Sequence, residues 1–515
     1  MMENAMNKSY LGIELGSTRI KGVTIDAETL TPLSSKSFSW KSELRDGVWT
    51  YDLDDAWRGL KCVLSQMEGL DSVEAVGISG MMHGYLAFDE DWNLLTPFRT
   101  WQNTMTARSA KELTELFQFN VPQRWSSAHL YEAILRGEEH ISRVAHITTL
   151  AGYVHYMLTG VNAVGIGEAS GIFPIDSKKL EYNAEMLAKL NKKFASHGFK
   201  RRAEDVFPKV LVAGAPGGTL TKEGVIRLGG LLSEGTPFAP PEGDAGTGMV
   251  ATNSISYKTG NISAGTSIFA MVVLEKQLSN LYEQIDMVTT PDGKPIAMVH
   301  CNNCTNEINE WVSVFKETLS LFGKEVSDDE LYTRLYEASL NGEDNCGGVI
   351  ACNYLSGEVL TGFERGVPML LRRPGSSFTL PNLMRSQIYS AMATLTIGME
   401  IFEKERVEID RLTGHGGLFK TKNVAQRYIA AACNTDIVCL ETSGEGGPYG
   451  MALLTAYMYE NGKHDSLDHF LDSRVFGKVR GDTLSPDASV VEGFKTYMLN
   501  YKRMLDVERC ATELF

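Results

Sequence analysis

The residues best suited to chemistry near the start of the sequence lie in the stretch YLGIELGSTRIKGVTID, residues 10–26. Apolar and β-branched residues surround a short Gly-Ser-Thr segment, which predicts two strands joined by a tight turn. Glu14 supplies a carboxylate, and Ser17 and Thr18 supply hydroxyl groups. Gly16 can take the positive φ that such a turn often uses. Two interpretations are open from these residues: a hairpin with a polar tip, or a cradle whose N–H and hydroxyl groups bind phosphate.

A second turn of the same type follows in GNISAGTSIFAMV, residues 260–272. Gly265, Thr266 and Ser267 lie at its bend, again between two short β-like runs. The two turns occupy early positions in the two halves of the chain, so two facing hairpins could hold a polyphosphate from both sides. A cleft between two α/β domains is also where small-molecule sites tend to lie.

Asp244 is the most conspicuous single carboxylate in the sequence, because it lies in the glycine-rich segment EGDAGTGM. Gly243 and Gly246 flank it, so a bulky substrate could approach the carboxylate without meeting side chains. The alternative is structural: an aspartate that caps a helix beginning near Ala245. The local residues alone favour neither interpretation.

Eight cysteines are thinly spread along the chain, which is typical of reduced thiols and not of a disulfide framework. Cys301 and Cys304 have CxxC spacing, with His300 beside them and Cys346 and Cys352 downstream. A structural zinc site needs four ligands in a defined arrangement, which this spacing suggests only loosely. We therefore expect free thiols at these positions.

Length and charge limit the class of protein. A chain of 515 residues is too long for one compact core, so two or more domains are expected. The net charge of -15 argues against nucleic acid as a partner, because phosphate contacts need a basic surface. The N-terminus lacks the apolar core of a signal peptide, and no run approaches the ~20 apolar residues of a membrane span. A cytoplasmic protein without a membrane partner is the expectation.

Alternating strand-like and helix-like segments predict α/β domains. Residues 104–160 are predicted to be helical, and 380–407 form the longest predicted helix. The Pro- and Gly-rich segment 231–255 is the predicted domain junction. Residues 407–459 predict a strand, a glycine loop and a helix, followed by the same three elements again.

The motifs, taken in order, resemble the FGGY family of carbohydrate kinases within the actin and sugar-kinase superfamily. The resemblance extends over almost the whole chain and is strong because the blocks keep the family's order and spacing. Its sugar-side segment, with Met82, His83 and Gly84 at the core, is similar to the xylulokinase branch. The matching blocks are YLGIELGSTRIKGVTID, GISGMMHGYLAFDEDWNLLTPFRTW, HYMLTG, GEASGIF, EGDAGTGM, SAGTS, NYLSGE and TGHGG.

This resemblance implies a fold and a domain arrangement. The implied fold class is α/β, with two actin-like (ribonuclease H-like) domains and a catalytic cleft between them. Residues 1–250 would form the N-terminal domain on the sugar side, and residues 251–515 the C-terminal domain on the nucleotide side. The implied cofactors are ATP and Mg²⁺, and a homodimer is one expected assembly.

The resemblance also assigns roles to individual residues. Asp244 is implied to be the catalytic base and to contact the substrate, and Glu14 is implied to hold Mg²⁺ directly or through water. The implied substrate-binding residues are Met82, His83, Trp101 and Asn103. The implied nucleotide-binding residues are Gly16, Ser17, Thr18, Lys21, Gly265, Thr266, Ser267, Gly416 and Gly417.

Several of these residues could instead have no direct part in binding or catalysis. Glu14 could be an exposed hairpin acid, Lys21 could point to solvent, and His83 could be a structural histidine. Trp101 could pack in the core instead of forming an apolar wall for the sugar.

The sequence departs from the family pattern at four positions. Glu14 stands where the family usually has Asp, and His415 stands where it often has Gly. Asn103 and Met105 replace an acid and an arginine that usually follow Trp101 in this branch. The last two changes lie close to the implied sugar pocket and leave the choice of sugar open.

The implied reaction is transfer of the γ-phosphoryl group of Mg·ATP to a hydroxyl of a ketopentose, D-xylulose or L-ribulose. The alternatives are a kinase for gluconate, L-fuculose or glycerol, and a non-catalytic sugar- or nucleotide-binding regulator of the actin-like superfamily. Asp244 and the two hairpins argue against the regulator.

Overall fold

The structure is a computed structural model that describes residues 8–440, 446–460, 463–477, 479 and 481–514. It divides into two compact units, each built from more than one segment of the chain. Unit 1 comprises Met1–Ile255, Glu275–Ile296 and Glu445–Val479, and unit 2 comprises Ser256–Leu274, Ala297–Gly444 and Arg480–Phe515. The predicted sugar and nucleotide sides, 1–250 and 251–515, stay predictions.

The strands of unit 1 are β1 Ser9–Leu15, β2 Arg19–Asp26, β3 Pro32–Ser39, β4 Glu43–Arg45, β5 Val48–Thr50, β6 Val73–Gly80, β7 Leu86–Phe88, β8 His146–Thr148, β9 Ala163–Gly165, β10 Ile175–Asp176, β11 Glu181–Tyr182, β12 Lys209–Leu211, β13 Gly218–Thr219, β14 Pro237–Phe238, β15 Glu242–Gly243 and β18 Asp286–Thr289. Its helices are α1 Leu53–Ser65, α2 Ala107–Phe117, α3 Ser126–Arg136, α4 Leu150–Thr159, α5 Ile166–Ala169, α6 Ala184–Ser196, α7 Ala203–Val206, α8 Lys222–Arg227, α9 Asp244–Ala251, α14 Gly447–Tyr459 and α15 Leu467–Phe470.

The strands of unit 2 are β16 Thr259–Ala264, β17 Ile268–Val273, β19 Pro295–Cys301, β20 Val349–Cys352, β21 Met369–Arg372, β22 Arg411–His415, β23 Asp436–Leu440 and β24 Gly481–Leu484. Its helices are α10 Asn306–Leu321, α11 Asp328–Ser339, α12 Leu380–Lys404, α13 Ala425–Cys433 and α16 Ala488–Thr512.

The central sheet of unit 1 has the strand order β13-β14-β6-β1-β2-β3, and β15 also pairs with β6. β1 is antiparallel to β2 and parallel to β6, and β15 is parallel to β6. Parallel pairing therefore brings the carboxyl ends of β1, β6 and β15 to one edge of the sheet. That edge carries Glu14, the segment after Gly80, and Asp244.

Helix α14 packs closely on this sheet, and two glycines make the approach possible. A Cβ on Gly12 would lie 2.1 Å from the carbonyl oxygen of Pro448. A Cβ on Gly77 would lie 2.3 Å from Oγ1 of Thr455. The last segment of unit 1 is thereby packed against its first strand. Side chains alternate along a strand, so the neighbours of these glycines point to the opposite face of the sheet, into a buried core shared with α1 and α4. They are Leu11, Ile13, Val76 and Ile78.

Unit 2 repeats the central motif. The sheet strands that belong to unit 2 have the order β19-β17-β16-β22-β23-β24, with β16 antiparallel to β17 and parallel to β22. The mixed α/β prediction is confirmed in both units.

The predicted helices fit with two exceptions. The predicted helix 380–407 is α12, which begins after the cap of Thr379 on the N–H of Asn382. It is not uniquely long, since α12 and α16 each contain 25 residues. The prediction of helix throughout 104–160 is right only for α2, α3 and α4. It is wrong for the segments between them, which include β8, where three residues pair with β7. The second glycine loop predicted in 407–459 lies at 441–445, outside the described residues.

Candidate active site

Asp244 is held at the carboxyl edge of the unit 1 sheet. It is the first residue of α9, directly after β15, and the helix cap position is occupied by Gly243. The prediction that Asp244 could be the cap itself is therefore wrong. Its Oδ1 accepts a hydrogen bond from the N–H of Met82, at 3.3 Å. The carboxylate is thus oriented toward the segment that follows β6.

Burial sets the acidity of Asp244. Loss of hydration raises its pKa to about 6, against the opposing effect of backbone N–H groups that include that of Met82. A carboxyl group with this pKa is largely ionised at neutral pH and is still a better proton acceptor than an exposed aspartate. These are the properties that a general base requires.

The Met82-His83-Gly84 segment forms a sharp break after β6. His83 and Gly84 both have positive φ, 70° and 88°. The N–H of Gly84 donates to the carbonyl of Arg124 at 3.1 Å. The buried ring of His83 places Nδ1 3.3 Å from the carbonyl oxygen of Gly171. A carbonyl only accepts, so Nδ1 carries the proton and Nε2 is an acceptor.

His83 is a neutral ring in this environment. Burial lowers its pKa well below the usual value, and the charge of Arg124 acts in the same direction. The ring also fills the space beside Gly171, where a Cβ would lie 2.6 Å from Nδ1. The structural role considered for His83 is therefore present, and it leaves Nε2 as an acceptor for a hydroxyl group.

Glu14 is a half-buried carboxylate near the end of β1, opposite Lys21 in the antiparallel register. Its burial excludes the exposed hairpin acid that the sequence left open. Desolvation raises its pKa to about 8, the charge of Asp244 adds to this, and Lys21 opposes it. Two acidic groups therefore repel each other at this edge.

Gly447 makes room for this carboxylate at the start of α14. A Cβ on Gly447 would lie only 1.6 Å from Oε2 of Glu14. We expect Gly447→Ala to displace Glu14 and to lower kcat at least ~10-fold, because small displacements of side chains in a catalytic site are costly. The control is Gly248→Ala in α9, where a Cβ would meet no atom within 4 Å. Steady-state kinetics measures kcat. Equal kcat in both variants would contradict the expectation that the position of Glu14 affects turnover.

The turn between β1 and β2 is fixed through its carbonyl groups. The carbonyl of Gly16 accepts from Nε1 of Trp40, and the carbonyl of Ser17 accepts from the hydroxyl of Tyr51, both at 2.6 Å. In a trans peptide the next N–H points away from the preceding carbonyl. The N–H groups of Ser17 and Thr18 are therefore directed away from Trp40 and Tyr51, on a turn whose two hydroxyl side chains are exposed.

Gly16 does not contribute in the way that the sequence predicts. Its φ is not positive, so the freedom of glycine to take a left-handed conformation is not used in this turn. The turn closes through the N–H of Gly16 and the carbonyl of Arg19, at 3.0 Å. A Cβ would be tight here, 3.3 Å from Oε1 of Glu14.

The turn between β16 and β17 in unit 2 has the same construction. The carbonyl of Thr266 accepts from the N–H of Cys304 at 3.0 Å. The carbonyl of Gly265 accepts from the N–H of Thr305 at 3.2 Å and from its hydroxyl at 2.8 Å. The N–H groups of Thr266 and Ser267 consequently point away from Cys304 and Thr305. A Cβ on Gly265 would meet nothing within 4 Å, so its backbone is open.

Gly416 and Gly417 follow β22 in unit 2. Gly416 has a φ of 102°, and a Cβ there would lie 2.5 Å from the carbonyl oxygen of Ala264. Both glycines are exposed, and the preceding His415 is half-buried. Burial lowers the pKa of His415 to about 4, so this ring is neutral, with Nε2 3.3 Å from Nδ2 of Asn261.

Trp101 and Asn103 differ in exposure. Trp101 is 42% exposed, so its alternative role in the core is wrong. Asn103 is buried, and its amide binds the backbone of Trp49 at both ends: Oδ1 accepts at 2.9 Å and Nδ2 donates at 2.8 Å. Nδ2 also donates to the carbonyl of Thr100 at 3.0 Å. Asn103 therefore has little capacity left for a sugar hydroxyl.

Two acidic residues near Asp244 were missed as functional candidates. Glu242 is buried and accepts from the N–H groups of Glu168 and Gly167, at 2.9 and 3.4 Å. Glu168 is itself fully buried. A signal was available, because Glu168 lies in the block GEASGIF and Glu242 in EGDAGTGM, but burial of the carboxyl groups is not visible in the sequence.

The CxxC pair is buried in unit 2. Desolvation raises the pKa of both thiols, Cys301 and Cys304, above the usual value. Within the part of the chain that the structure describes, no cluster of three or more His, Cys, Asp or Glu side chains has the arrangement of a metal site. Cys304 instead supports the second turn through its backbone.

Comparison with known proteins identifies the family. The N-terminal domain of the FGGY family of carbohydrate kinases matches residues 9–251, and its C-terminal domain matches residues 260–459. The chain belongs to the FGGY family of carbohydrate kinases. The resemblance found in the motifs is confirmed, and this FGGY kinase is a sugar kinase, a phosphotransferase with an alcohol group as acceptor.

Individual relatives of this FGGY kinase agree in length and fold. The xylulose kinase of Haemophilus influenzae is 23% identical over 524 residues, covering 96% of this chain and 98% of that protein. A ligand-bound xylulose kinase from Lactobacillus acidophilus has a TM-score of 0.80 at 16% identity, covering 97% and 98% of the two chains. A gluconate kinase from the same organism gives 0.79 at 16% identity with the same coverage. The two-domain, actin-like α/β fold is thus confirmed.

Kinases of this family use ATP, and their other partner is the sugar. Across the described ranges, none of the helices has the length and apolar character needed to cross a membrane.

Proposed function

We propose that this FGGY kinase transfers the γ-phosphoryl group of Mg·ATP to a hydroxyl of a ketopentose, D-xylulose or L-ribulose. The observation that carries the proposal is the position of Asp244, a half-buried carboxyl group of pKa about 6 that faces the Met82-His83 segment. The names of the relatives, which include xylulose kinases, support the choice of sugar.

Asp244 is the proton acceptor in the proposed step. The sugar hydroxyl oxygen attacks the γ-phosphorus, the bond from that phosphorus to the bridging oxygen of ADP breaks, and the hydroxyl proton passes to Asp244. The products are the sugar phosphate and ADP. The N–H of Met82 keeps Asp244 directed at the reacting hydroxyl through the 3.3 Å bond to Oδ1.

The sugar is proposed to lie against the segment after β6. Nε2 of neutral His83 accepts from a sugar hydroxyl, and Met82 supplies an apolar contact. Trp101 is exposed and offers an aromatic face. Asn103 is proposed to position Trp49 instead of contacting the sugar, because both ends of its amide are bound to that backbone.

The nucleotide-binding proposal rests on the turns of each unit. In unit 1, the N–H groups and hydroxyls of Ser17 and Thr18 would bind phosphate oxygens, with Lys21 adding charge. In unit 2, the corresponding groups of Thr266 and Ser267 would do the same, because their turn is held in the same way. Gly416 and Gly417 leave their backbone open to adenosine.

Glu14 fits a role near Mg²⁺. Its carboxyl is half-buried and its pKa of about 8 reflects desolvation and the charge of Asp244, both of which a divalent cation would offset. Mg²⁺ usually takes one or two protein carboxylates and keeps several waters, so Glu14 alone would be enough to bind the ion. When bound, the ion neutralises charge on the phosphates. The proton on Glu14 must leave first, so Mg²⁺ affinity should rise with pH up to about 8.

The pH dependence of turnover follows from Asp244. The base works only when ionised, so kcat should be constant above its pKa and fall as the pH drops through about 6. An exposed aspartate would place this loss near its usual pKa of about 4. A kcat–pH profile with saturating ATP, Mg²⁺ and sugar measures this acid limb, the pH range over which kcat falls. A profile flat down to pH 5 would contradict the assignment.

The proposed function is tested by coupling ADP release to a panel of sugars. D-xylulose and L-ribulose should give ADP in proportion to sugar consumed, and gluconate, L-fuculose and glycerol should react far more slowly. Activity with gluconate alone would overturn the pentulose assignment and keep the kinase. ADP release that no sugar stimulates would favour the non-catalytic alternative.

A further inference from the structure

Glu168 is a buried carboxyl group to which the reaction assigns no role. Its side chain is fully buried on the short helix α5, and neither Oε1 nor Oε2 has a hydrogen-bond partner among the described residues. The nearby hydroxyl of Thr149 opposes the effect of burial and lowers the pKa of Glu168, and it accepts from the N–H of Gly152 at 3.3 Å. A buried polar group without well-formed hydrogen bonds is costly, so the presence of a carboxyl group in this position needs an explanation.

Glu168 holds β15 through both its backbone and its side chain. Its N–H donates to Oε2 of Glu242 at 2.9 Å. Its own Oε2 fills the space beside Gly243, where a Cβ would lie 2.6 Å away. Gly243 directly precedes Asp244. Glu168 therefore fixes the two residues that lead into the proposed base.

The groups around this carboxyl are acidic or neutral. Burial raises the pKa of Glu168, and Glu242 and Asp244, which face it from β15 and α9, raise it further. Tyr182 faces it from β11, and its hydroxyl is buried with no hydrogen-bond partner in the part of the chain that the structure describes. Thr149 is the cap of α4. An ionised Glu168 would add a negative charge to this group with only the Thr149 hydroxyl to offset it, which is strongly unfavourable.

We propose that Glu168 is a positioning residue that carries a proton throughout the working pH range and holds Gly243, and so Asp244, in the geometry of the reaction. This inference rests on the proposed function of Asp244. The neutrality of Glu168 matters, because an anion beside Asp244 would raise the pKa of the base. Less of Asp244 would then be ionised at neutral pH.

The proton is tested directly in the purified full-length protein without substrate. An infrared difference spectrum between wild type and Glu168→Gln should show loss of the C=O stretch of a protonated carboxylic acid at neutral pH. The matched control is Glu223→Gln, an exposed glutamate on α8, which should remove only carboxylate bands. Loss of carboxylate bands alone in Glu168→Gln would overturn the proposal. This result does not depend on which sugar is used, or on kinase activity.

The positioning role is tested by kinetics in the same variants. Glu168→Ala should lower kcat at least ~10-fold with KM for ATP within about twofold, because Asp244 loses its support. Glu168→Gln keeps the shape and neutrality of the group, so kcat should fall less and the acid limb should stay at the same pH. A downward shift of that limb by a full pH unit in Glu168→Gln would show that wild-type Glu168 is charged and overturn the proposal. An unchanged kcat in Glu168→Ala would do so as well. Absence of activity in wild type with every sugar would instead count against the proposed function.

Discussion

The Asp244→Asn variant should lose at least ~10²-fold in kcat, the range that a general base typically contributes. The substitution keeps the size of the side chain, and the amide oxygen can still accept the 3.3 Å hydrogen bond from Met82 N–H. Only the capacity to take a proton near neutral pH is removed. Steady-state kinetics with saturating ATP and sugar measures the loss, and sugar binding by calorimetry should largely survive.

A matched control separates the base from general effects of charge. Asp205→Asn removes an exposed carboxylate on α7 in the same unit and should leave kcat within about twofold. If Asp244→Asn turned over at a near-normal rate, Asp244 would have no part in proton transfer. Retained folding is checked by the thermal unfolding midpoint of both variants.

The second large effect concerns substrate choice. D-xylulose or L-ribulose should exceed glycerol in kcat/KM by at least ~10²-fold, because a site built to bind several hydroxyls leaves polar groups unpaired with a shorter polyol. Burial strengthens this expectation, since His83 is enclosed and would lose its hydroxyl partner in a place that water reaches poorly.

Competition between the two ketoses and glycerol at equal concentration gives the ratio of kcat/KM in one reaction mixture. We expect D-xylulose to lead slightly over L-ribulose, because the Met82-His83-Gly84 segment resembles the xylulokinase branch. Asn103 does not reinforce that choice, because its amide is bound to Trp49. Equal or better use of glycerol would contradict the pentulose assignment.

Local features of the sequence predicted the parts of the site that depend on near neighbours. The two hairpins follow from apolar and β-branched runs around a Gly-Ser-Thr or Gly-Thr-Ser turn, and the structure forms both. Asp244 was conspicuous because glycines surround it. What these residues contact was not predictable in the same way. The carbonyls of the first turn are fixed by Trp40 and Tyr51, which no local pattern connects to Gly16.

Long-range packing accounts for most of what the sequence did not predict. Gly12 and Pro448 approach closely although they are distant along the chain, so the return of 445–479 into unit 1 leaves no local signal. In the sequence, Glu168 has no feature that separates it from other glutamates in helices. Its burial beside Gly243 makes it a functional candidate. Asn103 is predicted to contact a sugar, whereas its amide binds the backbone of Trp49 in β5, far back in the sequence, and that of nearby Thr100.

The most direct test of this account combines product analysis with the base variant. Wild-type protein is incubated with Mg·ATP and D-xylulose or L-ribulose, and the products are measured by mass spectrometry and by ADP quantification. The account predicts one sugar monophosphate per ADP with wild type, and at least ~10²-fold less of both with Asp244→Asn. Formation of ADP without sugar phosphate, or of sugar phosphate at an equal rate by both proteins, would contradict it.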